Sequence, residues 1–205
     1  MILSETNGWI VSKHLPHEVI KLANMFWTKV PKTINYDSTF LFMDDKGEVE
    51  DAFGLERDSL SDIFPSAYKT PIYILLKNDT LNTIDFVIDF INTAIEKYAH
   101  SEWEYKENIQ KVEVHISNDS TQMQYHSQAL WNLFRGTSSP VMPKLLQSSH
   151  MALEKYLLEV AQYTEHKTLE TILLYILKKS KSSSLSAIIS SVVLANHNKT
   201  VNVAI

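Results

Sequence analysis

The chain contains no cysteine. That excludes a disulfide framework, a thiol nucleophile and a thiolate metal site, and it is compatible with the cytosol. Glycine is scarce, 4 in 205 residues, which argues against a glycine-rich loop cradling phosphate. Arg57 and Arg135 are the only arginines. With a net charge of −5, so few arginines argue against a nucleic-acid partner, because such binding depends on neutralising phosphates and on forked contacts to bases. Long apolar runs are missing too. The most apolar stretch, 185–195, is shorter than the roughly 20 residues a bilayer-spanning helix needs, so no membrane partner is expected. Met1-Ile2-Leu3 leads into Ser4, Glu5, Thr6 and Asn7, which lacks the cationic and apolar regions of a signal peptide. The expected location is cytoplasmic.

What is present suits a packed core: 44% of residues are hydrophobic and 21% charged, outside the range of disordered chains. The acidity is local. Asp44, Asp45, Glu48, Glu50, Asp51, Glu56, Asp58 and Asp62 face only Lys46 and Arg57, a balance of −6 against −5 for the whole chain. Residues 44–62 therefore read as a solvated acidic loop suited to a basic partner surface. They lack the alternating acids and terminal glutamate of a calcium loop.

Helical periodicity dominates elsewhere. Residues 16–30 place Val19, Leu22, Ala23, Phe26 and Trp27 on one face, with Pro16 in the first turn and Pro31 at the end. Residues 66–77 begin as a turn and become helical through Ile72, Leu75 and Leu76, and Asp79 or Thr80 is placed to cap the next helix. There Ile84, Val87, Ile88, Ile91, Ile95 and Tyr98 recur at three and four, while Asp85, Asp89, Asn92 and Glu96 line a face expected to be solvated. After Gln128 to Phe134, a short helix ending at Arg135-Gly136 with Gly136 as a left-handed cap, three segments follow closely: 145–164, 168–177 and 185–195. Thr168 is placed to cap the second, Lys178, Lys179 and Lys181 suit its C-terminal dipole, and the third is apolar on nearly every side except Ser186, Ser190 and Ser191. Phe40-Leu41-Phe42-Met43 reads as a short strand or helix end. Residues 111–126 break the helical pattern: Val112, Val114 and Ile116 alternate with Glu113 and His115, a polar turn follows, and Met123 and Tyr125 alternate again, the mark of a β-hairpin. The fold class is thus mainly α, helical hairpins with an α-solenoid-like option, and one inserted β-hairpin, in one domain over 1–205.

Candidate chemistry is sparse. His14 and His17 lack a third ligand at metal spacing. His115 and His126 flank the hairpin and are placed to face each other across it, but no nucleophile or orienting acid accompanies them. The helix carboxylates lack the Glu-x-x-His of bundle metal sites. No cofactor, metal or catalytic residue is expected. Arg135, Lys178, Lys179 and Lys181 are the candidate interaction residues, with Lys199 a further cation.

The block Leu130-Trp131-Asn132-Leu133-Phe134-Arg135-Gly136-Thr137, then His150-Met151-Ala152-Leu153-Glu154-Lys155-Tyr156-Leu157-Leu158-Glu159, then Leu177-Lys178-Lys179-Ser180-Lys181-Ser182, Ile188 and Val192-Val193-Leu194-Ala195, resembles the helical region downstream of the ATPase core in large bacterial ATP-binding proteins, antiviral STAND-type NTPases among them. The resemblance covers the second half of the chain and part of 64–78, and rests on helix-packing residues. It implies a scaffold or sensor segment of a longer protein, whose partners are other domains of the parent chain or other proteins. The nucleotide loop of that family has no counterpart: Lys199-Thr200 follows Ala195-Asn196-His197-Asn198 without glycine. The apolar end Val201-Asn202-Val203-Ala204-Ile205 also fits a fragment, since an array of helices needs a polar last unit. The expected function is a non-catalytic scaffold or sensor segment. The alternatives are a small hydrolase using His115 or His126 and a stand-alone protein-interaction module.

Overall fold

The apolar stripe on residues 84–98 becomes the centre of the molecule. The computed structural model describes residues 3, 8–29, 49–56, 64–101, 108–117, 120–135 and 142–204. Phe40 to Met43, the acids at 44–48 and at 58 and 62, Gly136 and Pro140 lie outside the described residues.

The helices are α1 (Trp9–His14), α2 (Pro16–Trp27), the single turn α3 (Val49–Ala52), α4 (Ile72–Asn78), α5 (Thr80–Ala99), the short α6 (Gln128–Trp131), α7 (Lys144–Tyr163), α8 (His166–Lys179), α9 (Ser183–Ala195) and the short α10 (Val201–Ala204). Strands β1 (Gln110–Ser117) and β2 (Ser120–His126) form an antiparallel hairpin between α5 and α6. The fold is mainly α with one inserted hairpin.

In α5 the residues Ile84, Val87, Ile88, Ile91, Ile95 and Tyr98 are all buried, as their spacing requires. At roughly 1.5–3 kcal/mol for each buried large side chain, this stripe is a principal source of stability. α5 packs on α2, α4, α7, α8 and β2. Trp27 of α2 meets Phe86 at 6.0 Å and Phe90 at 5.5 Å between ring centroids. α4 also packs on α7, and α7 on α9. Helices from the two halves of the sequence therefore share one core, from Ala23 to Val193. In a solenoid each unit touches only its neighbours; here α4 and α5 reach past the hairpin to α7 and α8.

Several local expectations change. α8 starts at His166 with Glu165 before it, so Thr168 lies inside the first turn and caps nothing. α2 stops at Trp27 because Thr28 turns extended and pairs with Leu55. Asp79 precedes α5 without a side-chain cap; its carboxylate accepts from the Asn82 side chain at 2.9 Å. Ser182 does cap α9, its hydroxyl accepting from the Ser184 N–H at 3.2 Å.

The described part of the acidic segment is not a solvated loop. Phe53 is buried and stacks on Tyr98, centroids 4.0 Å apart and planes within 7°. Leu55 is buried beside it in the core. Asp51 pairs with Lys29. The turn from α3 runs through Gly54 at φ +65°, a left-handed position that costs a residue with a Cβ. Apolar residues inside an acidic stretch fold back because the burial of two large side chains outweighs keeping the segment in water.

Candidate interaction surface

The polar face of α5 forms a seam with the end of α8. Asp85 accepts hydrogen bonds from the Tyr175 hydroxyl at 2.5 Å and from Lys179 Nζ at 2.7 Å. The lysine contact, then the tyrosine, holds its carboxyl below the usual range. Asn92, buried, donates to the Lys179 carbonyl at 2.8 Å and accepts from the Lys181 N–H at 2.8 Å. It thus satisfies backbone groups left open where α8 ends. Glu96 pairs with Lys181 Nζ at 3.2 Å. The face expected to be solvated is thus shared: Asn92 is buried in helix packing, Asp85 and Glu96 pair across the seam while staying partly exposed, and Asp89 is exposed.

Lys179 and Lys181 each pair with a carboxylate of α5 while staying exposed, and the Lys179 ammonium also lies 4.6 Å from the Tyr175 ring centre. Lys178 is exposed. Arg135 sits on a short 3-10 turn, exposed, with its guanidinium 5.4 Å from the Phe134 ring centre. Lys199 donates to the carbonyls of Ala161 at 2.9 Å and Gln162 at 3.3 Å. It caps the C-terminus of α7, where a cation meets the negative end of the helix dipole.

The hairpin register separates the two histidines. His115 pairs with Thr121 and His126 with Gln110. Side chains alternate along a strand, so the two rings lie on opposite faces and toward opposite ends. His126 instead meets the Trp131 ring at 6.4 Å. His17 Nδ1 lies 3.6 Å from Asp79. Among the described residues no three His, Asp or Glu side chains group as metal ligands, and no helix is long and apolar enough to cross a membrane.

Two further polar clusters were not expected. On α7, Glu159 accepts from Lys155 Nζ at 2.8 Å, the Tyr73 hydroxyl at 2.6 Å and Lys77 Nζ at 3.2 Å. Its carboxyl is pulled down to about 2, first by Lys155 and then by Tyr73. In the core, His150 is fully buried. Its Nδ1 lies 2.7 Å from the Leu146 carbonyl and its Nε2 lies 2.8 Å from the Ser184 hydroxyl, which in turn is 2.8 Å from the Ser182 hydroxyl. A carbonyl only accepts, so Nδ1 carries the proton and Nε2 accepts from Ser184. Burial pushes the imidazole down to about 4. A His and a Ser in contact resemble a base and nucleophile, but Ser184, Ser182 and His150 all have no exposed surface. The cluster fastens α7 to the start of α9.

Exposed apolar side chains include several on α1 and α2, besides Phe64, Leu81, Tyr163 and Leu194 elsewhere. Val19, Ala23 and Trp27 point into the molecule, whereas Met25 is 70% exposed and Phe26 57%. Leu15 is exposed and Leu22 half-buried. Spacings of three and four put Leu22, Met25 and Phe26 along one side of α2, next to its buried side, and Leu15 immediately precedes the helix. Trp9 and Ile10 are exposed on α1. The single face expected for α2 is thus two faces. The available signal was the excess of apolar residues: three at spacing four already fill the buried side.

No family model matches the chain, and no curated protein matches it in sequence.

Proposed function

We propose that the chain is a non-catalytic helical scaffold or sensor segment of a larger bacterial ATP-binding protein acting in antiviral defence, and that it docks other domains of the parent chain, or protein partners, through α1 and α2. The observation that carries the docking surface is the second apolar side of α2: Leu22, Met25 and Phe26, with Leu15 just before the helix, stay apolar outside the core. Exposed apolar surface of this kind marks interaction sites. The larger setting rests on the sequence resemblance. The polar clusters support a scaffold as well, since Asp85, Asn92, Glu159 and His150 all hold helices against one another.

The test of the setting is the intact mass of the native gene product in its own cells, detected with an antibody to this chain. A product several times 23.5 kDa supports the reading. A product of 23.5 kDa overturns the segment and leaves a stand-alone interaction module. Saturable ATP binding by the isolated chain would count against a scaffold.

A further inference from the structure

We propose that two copies of this chain associate by pairing their β1 strands antiparallel, extending the two hairpins into one four-stranded sheet. This does not rest on the scaffold reading, because it follows from the hairpin alone. Among the described residues the sheet has two strands, β1 beside β2. The outer edge of β2 is taken: the Tyr125 N–H donates to the Lys181 carbonyl at 2.8 Å. That bond fixes which way the backbone of β1 faces. In an antiparallel pair, opposite residues either bond each other or both point outward, alternating along the strand. Tyr125 points outward and is opposite Lys111, so Lys111 points outward as well. So do Glu113 and His115, opposite Met123 and Thr121. Among the described residues no backbone bond from another element reaches these three, and all three are exposed. An open edge of this kind is a template for another strand.

Charge selects the partner and the register. Two outward-facing positions must meet for the bonds to form. Setting Lys111 opposite its own copy brings two lysines together. Setting Glu113 opposite its own copy brings two glutamates together and puts Lys111 against His115. The register centred on Val112 sets Lys111 of each copy opposite Glu113 of the other, twice by symmetry, with Val112 against Val112. Opposite charges facing across strands favour pairing, and like charges disfavour it. The next register, centred on Val114, runs into the irregularity between His115 and Ser117, which breaks the ladder. A self-complementary edge of this kind closes as a two-fold dimer.

The experiment is sedimentation equilibrium of the full chain over a range of concentrations, with Lys111→Glu, Glu113→Lys and the variant carrying both. The native chain is expected to show a monomer–dimer equilibrium. Each single substitution turns both facing pairs into like charges and should raise the dissociation constant about tenfold or more. The double substitution restores opposite pairs and should recover the native value. Amide exchange should slow on dimerisation at Lys111 and Glu113 but not at Val112 and Val114. Both positions are exposed, and circular dichroism checks that each variant is folded. A native chain that stays monomeric at millimolar concentration overturns the pairing. A dimer indifferent to both single substitutions, or a double variant that is not rescued, overturns it equally.

Discussion

His150 makes the fold sensitive to mild acid. The perturbation is a fall in pH from 7 to 5, applied to the native chain and to His150→Leu. In the folded state the imidazole is neutral, lowered from 6.5 to about 4 chiefly by burial and despite its bond to the Leu146 carbonyl. Protonation would oblige Nε2 to donate where Ser184 now donates to it. The unfolded chain takes up the proton near 6.5, so between 6.5 and about 4 it binds more protons than the folded one and stability falls as the pH falls. The contribution is fully present above 6.5, declines as pH drops through this window, and is gone below about 4. At 1.36 kcal/mol per pH unit the whole window is worth about 3 kcal/mol, and about 2 kcal/mol has been lost by pH 5. That is a sizeable share of a total stability of roughly 5–15 kcal/mol. The assay is urea unfolding at both pH values for both proteins, with the change in the variant subtracted from that in the native chain so that other titrating groups cancel. The native chain should lose about 2 kcal/mol more than His150→Leu. Equal losses, or a native His150 ring that titrates by NMR near 6.5, would refute the reasoning.

Asn92→Ala should cost about 2–3 kcal/mol, since it frees the Lys179 carbonyl and the Lys181 N–H in a buried place; urea unfolding that shows less than 0.5 kcal/mol or so would mean water replaces the side chain. Gly54→Ala should cost roughly 1–2 kcal/mol from its left-handed backbone. Its added Cβ would also run into the Lys97 side chain, so that side chain must move; an unchanged thermal midpoint would show that the turn has another conformation.

The helices and hairpin were legible because period and burial agree. The stripe of α5 reads directly as a core face, and alternation at 112–116 reads directly as strand. Polar residues were less legible, because sequence shows their face but not what packs on it. Asp85, Asn92 and Glu96 look like a wetted surface until α8 brings Tyr175, Lys179 and Lys181 against them. His115 and His126 look paired because they flank one hairpin, and register alone separates them. The candidate surface was hidden for the opposite reason. Phe26 and Trp27 are both apolar neighbours on α2, yet they project about 100° apart, and only the position of α5 decides that Trp27 is inside. His150 carries no local signal at all, as its partner Ser184 comes from another helix.

The most direct test of the account places a photo-reactive phenylalanine analogue at position 26 of the native gene product, in its own cells, with the same analogue at the exposed position 89 as control. If α2 is an interaction surface, irradiation at position 26 should give a discrete crosslink, to another region of the same product or to a single protein partner, and position 89 should give none. Solvent-quenched product alone at position 26, with the chain folded, would contradict it.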